Sequence, residues 1–126
     1  MKLNPNCIRD ILLSTESLIT GLNSYISYTN PSSLNLTEYT NDVILYHIKQ
    51  CELSNLLIID NWYLNGGCLI RDLTPIGHEF LANIREDSNW NKTKEIANKV
   101  GSFSLKTLTT IASNVVASIV KSTLHI

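Results

Sequence analysis

The first twenty residues place apolar side chains at the three- and four-residue steps of an amphipathic helix. Asn4 suits an N-cap and Pro5 the first helical position, so the pattern predicts a helix that begins there. We expect it to end near Gly21. Its buried face is predicted to comprise Ile8, Ile11, Leu12, Thr15, Leu18 or Ile19, and Leu22.

A polar segment follows and leads into a second helix. The run Asn30-Pro31-Ser32-Ser33 indicates a loop, and Leu34-Asn35-Leu36 is predicted to be a short strand. The second helix is expected from Thr40 or Asn41 to Ser54, with Asn55 as the left-handed residue that ends it. Its core face is predicted to contain Ile44, His47, Ile48 and Cys51.

Two apolar runs around a tight-turn signal predict a β-hairpin from about Leu57 to Leu73. Asn65-Gly66 favours a type I′ turn, which needs positive φ at both central residues. Thr74 and Pro75 then suit the N-cap and first position of a third helix that stops between Arg85 and Asp87. Its apolar face is predicted to contain Ile76, Phe80, Leu81 and Ile84.

The last forty residues are helical in pattern, with a break near Gly101. A short helix is predicted over Trp90 to Val100 and a longer one over Phe103 to Leu124, entered through Ser102 or Ser104. The longer helix carries a broad apolar stripe that must be buried on the rest of the chain, in a homodimer or at a membrane surface. Only Lys106 and Lys121 flank the stripe, too few basic residues for a strong membrane-surface helix. For the homodimer, the predicted interface consists of Leu108, Val115, Val116 and Ile119.

These elements predict an α+β, mostly α fold in the order helix, short strand, helix, β-hairpin, helix. That order is typical of a winged helix whose wing is the turn at Asn65-Gly66-Gly67. We expect a winged-helix domain over residues 1–87 and a C-terminal helical extension over 88–126 that packs on this body or forms a dimer contact.

Composition narrows the class of protein. The chain has 126 residues and 44% apolar content, enough for a core. Its three cysteines include no Cys-x-x-Cys pair, which disfavours a disulfide framework and a zinc ribbon. No apolar run of signal-peptide or membrane-spanning kind occurs, so we expect a cytoplasmic protein without membrane association.

The net charge of −1 hides an asymmetry between the two parts of the chain. Residues 1–87 carry five basic and ten acidic side chains, whereas residues 88–126 carry five lysines and Glu95 alone. DNA-binding modules usually present a basic face, because neutralised phosphates supply much of the affinity. The acidic body therefore argues against strong, charge-driven binding of duplex DNA.

Two stretches resemble known proteins. The run from Tyr46 to Ile58 resembles the recognition-helix-then-strand signature of winged-helix regulators, with Asn55 in place of the usual Gly. The run from Arg71 to Lys92, which contains Gly77-His78-Glu79-Phe80-Leu81, resembles the motif of the family called domain of unknown function 2513. Gly101 to Leu108 is similar to a later segment of that family. This resemblance implies a winged-helix-like fold and a prophage or mobile-element setting, and no reaction.

The outward side of the second helix and the wing are the candidate binding surface. Gln, Lys and Asn side chains can reach base edges or phosphates in a major groove, and an arginine on a wing can contact the DNA backbone or minor groove. A solvated helix face and a surface ion pair are the structural alternatives. The predicted DNA- or partner-binding residues are Asn41, Tyr46, Lys49, Gln50, Asn65 and Arg71.

Catalytic and metal signals are weak. His47 and Cys51 stand at i and i+4 and could share a metal with Cys68 or His78, but zinc sites usually show closer paired spacings. No Gly-rich phosphate loop, nucleophile elbow or carboxylate pair is present. We therefore expect no metal, no cofactor and no enzymatic activity.

Two functions remain open. The first is a DNA-binding transcriptional regulator that places the second helix in the major groove, with a homodimer matching a palindromic site. The second is a protein-interaction module, an inhibitor or adaptor of a host or phage protein, whose winged helix does not bind DNA. The fold pattern favours the first function, and the charge count favours the second.

Overall fold

The computed structural model describes residues 1–125 and shows an α+β fold that is mostly helical. Within those residues, five α-helices accompany one three-stranded antiparallel sheet. The chain forms two compact units, of which the first is Met1–His78 and the second begins at Glu79, inside a helix. The elements in chain order are α1 (Pro5–Leu18), β1 (Ile26–Tyr28), a 3₁₀ helix (Pro31–Leu34), α2 (Asn41–Leu53), β2 (Leu57–Trp62), β3 (Cys68–Leu73), α3 (Pro75–Ile84), α4 (Asp87–Val100) and α5 (Leu105–Leu124).

Helix α1 begins where the sequence predicts, because the side chain of Asn4 accepts hydrogen bonds from the backbone N–H groups of Asn6 and Cys7. It ends at Leu18, three residues earlier than the predicted Gly21. The backbone leaves the helix at Ile19, and the Thr20 hydroxyl accepts from the backbone of Leu22 and Asn23. The prediction that Leu22 is buried is therefore wrong, since it is 98% exposed.

Strand β1 lies before the predicted position. Ile26 and Tyr28 alternate with exposed Ser27 and pair with Ile70 and Cys68 of β3. The predicted strand at Leu34–Leu36 is wrong, because Leu34 ends the 3₁₀ helix and Asn35 has a left-handed φ of 56° that interrupts extended backbone. Strand β1 has only three residues, and so short an alternation of apolar and polar side chains does not predict a strand from sequence.

The predicted hairpin is confirmed. Strands β2 and β3 pair antiparallel from Leu57↔Leu73 to Trp62↔Cys68, and β1 adds to the other edge of β3, giving the order β1-β3-β2. The turn is not type I′, because Gly66 has positive φ and Asn65 does not. The Tyr63 N–H donates to Gly67 O at 2.8 Å, which leaves a three-residue loop closed by a left-handed glycine.

The backbone at Leu56 joins α2, the hairpin and the start of α3. Asn55, with a φ of 58°, ends α2 as predicted. The Thr74 N–H donates to Leu56 O at 3.0 Å, and the Thr74 hydroxyl donates to Asn55 O at 2.6 Å. The same hydroxyl caps α3 by accepting from the Gly77 N–H at 2.9 Å. We call these contacts the Leu56 junction.

Helix α3 begins and ends close to the prediction, and Phe80, Leu81 and Ile84 are buried as expected. Ile76 is half exposed, so its predicted place in the core is wrong. Ile76 lies in the first turn of α3, directly after Pro75. Phe80, one turn later, is buried.

The second unit pairs α4 with α5. Helix α4 starts at Asp87, three residues before the predicted Trp90, and Gly101 ends it with a φ of 82°. The Ser104 side chain caps α5 by accepting from the Thr107 N–H, as predicted. The buried face of α5 comprises Leu105, Leu108, Ile111, Ala112 and Val115, whereas Ile119 and Val120 are about half exposed. No helix within residues 1–125 combines the length and apolar content needed to cross a membrane.

The cysteines are free and buried. Burial raises the pKa of Cys7 and of Cys68 to about 12, and it also raises the pKa of Cys51. Burial likewise raises the pKa of Tyr28 to about 12. All four side chains belong to the core of the first unit, so this core is built to hold neutral thiol and phenol groups.

Replacing Gly77 with Ala should destabilise the chain, because a Cβ at this position would lie 2.1 Å from the Leu56 carbonyl oxygen, a backbone atom. We expect the free energy of unfolding in urea to fall by about 1–3 kcal/mol, despite the better helix propensity of Ala. Gly21→Ala is the matched control, since nothing lies within 4 Å of its added Cβ. Equal stability of both variants would contradict the close approach of Gly77 to the Leu56 carbonyl oxygen at this junction.

The raised pKa values predict loss of stability at alkaline pH. The unfolded thiols ionise near their ordinary pKa of about 8.5 while the folded ones stay protonated, so the contribution of the thiols to the free energy of unfolding should be constant below that pH and fall above it. At about pH 8 the native thiols should resist a chromogenic disulfide reagent, and all three should react once urea is added. Rapid reaction of a thiol in the native chain would contradict their burial.

Candidate binding face

The outward side of α2 is partly apolar. Asp42, Tyr46, Lys49 and Leu53 recur at i, i+4, i+7 and i+11, which places them on one face of the helix. Leu53 is 69% exposed, and Tyr46 is half-buried with its ring edge-on to His47 at 5.1 Å. We call this side of α2, together with β2, β3 and their loop, the α2–hairpin face.

Lys49 is bound within this face. Its Nζ lies 2.9 Å from Glu52 Oε1 and 4.9 Å from the centre of the Trp62 ring on β2. The Trp62 indole N–H donates to both Glu52 oxygens, at 3.1 and 3.2 Å. The Glu52 carboxylate, the Lys49 ammonium and the Trp62 indole thus connect α2 to the hairpin. The Lys49 ammonium contacts both of the other groups.

Arg71 is bound in the same way. Its Nη2 lies 2.6 Å from Asp60 Oδ2, and its Nε–H donates to the same oxygen at 2.8 Å. The hydrogen bond and charge of Asp60 raise the pKa of the Arg71 guanidinium. The two side chains face each other across β2 and β3, next to the positions where the strand register shifts.

The other predicted binding residues are placed less tightly. Asn41 is exposed, and its Oδ1 accepts a hydrogen bond from the Tyr28 hydroxyl at 2.7 Å, which connects the start of α2 to β1. Gln50 is half-buried on the flank of α2. Asn65 is exposed in the hairpin loop, beside the fully exposed Leu64. All six predicted residues lie in α2 or the hairpin. The ion pair of Arg71 agrees with the structural alternative weighed for that residue, whereas the pairing of Lys49 with Glu52 was not predicted.

The charge of the α2–hairpin face is negative. The segment 41–73 contains Lys49 and Arg71 against Asp42, Glu52, Asp60 and Asp72. Exposed ion pairs open at small cost, so pairing alone does not prevent a cation from meeting a phosphate. The carboxylates remain in place when a pair opens, however, and they would repel the incoming phosphate. The face therefore offers no net positive charge to DNA.

Sequence reasoning missed the residues that decide this charge. Glu52 stands three positions after Lys49 on a helix, a spacing at which opposite charges meet, so this pair could have been found. Asp60 and Arg71 are neighbours only once the hairpin register is known. Trp62 had no local signal for its contact with Glu52.

His47 has a structural place. It is buried, its Nδ1 lies 2.7 Å from Val43 O, and its Nε2 accepts the Asn4 N–H at 2.8 Å. Both ring nitrogens are thereby used, Nδ1 within α2 and Nε2 in joining the start of α1 to α2. Among residues 1–125, no group of three His, Cys, Asp or Glu side chains is placed to hold a metal ion. The expectation of no enzymatic activity stays a prediction.

The predicted dimer residues divide into two sets. Leu108 is fully buried and Val115 nearly so within the chain itself, so Leu108 offers no surface to a second copy. Val116 is half-buried, and Ile119 is 47% exposed. An interface on α5 would have to use its later turns.

Comparisons with known proteins bear on the family. The family described as "Hypothetical protein (DUF2513)" matches residues 2–104, a range that ends just before α5. A Haemophilus influenzae protein, named as an uncharacterized protein, is 34% identical over 120 residues, which cover 93% of this chain and 97% of the relative. No solved structure matches the chain. The match over most of its length establishes that this chain belongs to the DUF2513 family.

Proposed function

We propose that the chain is a winged-helix binding protein that recognises another protein through its α2–hairpin face. The observation that carries this proposal is the neutralisation of both basic side chains on the face, Lys49 by Glu52 and Arg71 by Asp60. An inhibitor or adaptor function is consistent with this chemistry, and so is the prophage or mobile-element setting that the sequence motif implies.

The winged-helix part of the proposal is supported by the topology of the first unit. A helix, a short strand, a second helix and a β-hairpin follow one another, and the strands pair in the order β1-β3-β2. A 3₁₀ helix at Pro31–Leu34 occupies the stretch between β1 and α2. In this arrangement α2 would be the recognition helix and the hairpin the wing.

The apolar content of the face supports a protein partner. Leu53 on α2, Ile58 on β2 and Leu64 in the loop are all exposed, and the aromatic side chain of Tyr46 is partly exposed. Aromatic and aliphatic anchors supply the affinity of protein interfaces, whereas phosphate contacts need amide, hydroxyl or basic groups. Leu53 is the most exposed apolar side chain on α2.

A DNA-binding regulator is the second candidate, and the order of the elements favours it. Asn41, Lys49 and Gln50 are residue types that read bases or bind phosphates, and they lie on the helix that would enter the groove. The salt dependence of binding distinguishes the two candidates. Each cation that neutralises a phosphate makes the affinity for DNA fall more steeply with salt, so a regulator should show a steep dependence.

Duplex binding by the wild-type chain should be weak. We expect a Kd no tighter than about 10⁻⁵ M at physiological salt, with a shallow salt dependence, in anisotropy titrations of a random duplex. The double variant Glu52→Gln/Asp60→Asn should bind the duplex several-fold more tightly, because it frees two cations. The matched control Glu38→Gln/Glu79→Gln changes the total charge equally at two exposed carboxylates that are not part of the face. A wild-type salt slope equivalent to six or more phosphates would restore the regulator.

The protein partner is tested by photo-crosslinking in the host that carries the gene. A benzophenone side chain in place of Leu53 should give one discrete protein adduct, and Tyr46→Asp in the same chain should abolish it by placing a charge in the contact. The same side chain at Asn98, an exposed position on α4, is the control. Crosslinks from position 53 to nucleic acid, or identical adducts from both positions, would contradict the proposal.

A further inference from the structure

The seam between α4 and α5 is open along one side. A cavity of about 490 Å³ there has an apolar floor that includes Ile96, Ile111 and Val115. A second cavity of about 290 Å³ lies between Val100 and Lys106 and shares Ile111 with the first. The lining residues of both follow one row along each helix, with Lys92, Ile96 and Val100 on α4 and Thr107, Ile111, Asn114 and Ser118 on α5. We treat the two cavities as one groove, the seam groove.

The dimensions of the seam groove suit a helix. Its lining on α5 runs from Lys106 to Ile119, which at 1.5 Å per residue is roughly 20 Å, the length of a helix of about 13 residues. An amphipathic helix binds such a groove with apolar side chains at i, i+3 or i+4, and i+7. The second unit alone supplies this lining.

The seam groove is positively charged, which favours an acidic occupant. Lys92 and Lys106 line it, and its lining includes no carboxylate among the described residues. Lys92 Nζ lies 4.0 Å from Glu95 Oε1, and that oxygen is closer to Lys99 Nζ, at 3.3 Å. The range 105–124 contains no Asp or Glu at all, so α5 of a second copy would bring lysines toward lysines.

We propose that the seam groove binds an acidic amphipathic helix of a partner protein. The apolar side of that helix packs on Ile111 and its neighbours, and its carboxylates lie toward Lys92 and Lys106. This surface belongs to the second unit, and it is separate from the α2–hairpin face in its residues and opposite in its charge. The predicted homodimer through α5 becomes the competing outcome.

The probe is a fluorescent 14-residue helical peptide with Leu at i, i+3, i+7 and i+10 and Glu at the exposed positions. The full chain should bind it at least about tenfold more tightly than it binds the same peptide with Lys for Glu, or a scrambled acidic peptide. Lys92→Glu/Lys106→Glu should weaken binding at least about tenfold. Lys2→Glu/Lys121→Glu has the same total charge, and neither residue lines the groove, so this variant should weaken binding far less.

Steric variants test the same groove without a charge change. Ser118→Trp should fill the groove and abolish binding, whereas Val120→Trp, half exposed on another side of α5 and outside the lining of both cavities, should not. Circular dichroism establishes that each variant is folded. Equal binding of acidic and basic peptides, no binding up to about 1 mM, or full binding by Ser118→Trp would overturn the proposal. A wild-type dimer in sedimentation that Ser118→Trp alone dissociates would identify a second copy as the occupant and also overturn it.

Discussion

The Leu56 junction is the constraint on which the first unit depends. One carbonyl oxygen, that of Leu56, accepts the Thr74 N–H and lies against Gly77, so the end of α2, the far end of the hairpin and the first turn of α3 meet at one point. Asn55 makes this possible because its left-handed backbone turns the chain directly from helix to strand. The short connection brings β2 back along α2, which is why Trp62 can reach Glu52. The chemistry of the α2–hairpin face therefore follows from the backbone geometry of its base.

The same placement determines the charge of that face. A winged helix that reads DNA needs uncompensated cations on its recognition helix and wing, because counterion release drives the binding. Here each cation is within hydrogen-bond distance of a carboxylate that the fold itself supplies, and Asp42 and Asp72 add further negative charge. The exposed apolar side chains Leu53 and Leu64 then become the strongest available contacts. The second unit has the opposite character, with lysines around an apolar groove, so the two units suit partners of different charge.

The sequence predicts the elements whose signals are local. Asn4-Pro5, Thr74-Pro75 and Ser104 each act through their own side chain or ring on the next turn, and all three helix starts were found. The position of β1 was missed because its pairing with β3 joins residues forty or more positions apart and its alternation covers only three residues. The turn type was missed because the choice between a two- and a three-residue loop depends on strand register as well as on Asn-Gly. For the candidate binding face, the sequence places all six predicted residues in α2 and the hairpin, but the Asp60–Arg71 pair exists only after folding.

The central claim is that the cations of the α2–hairpin face are held by its own carboxylates in solution. Nuclear magnetic resonance of the Arg71 Nε–H and Trp62 indole N–H groups measures this directly, because both donate to the carboxylates in question. The account predicts that Asp60→Asn shifts the Arg71 signal and speeds its exchange with water, and that Glu52→Gln shifts the Trp62 signal. Asp42→Asn should move neither, and added duplex DNA should leave the Arg71 signal unchanged. An Arg71 signal that is indifferent to Asp60→Asn and shifts on addition of duplex would contradict the account.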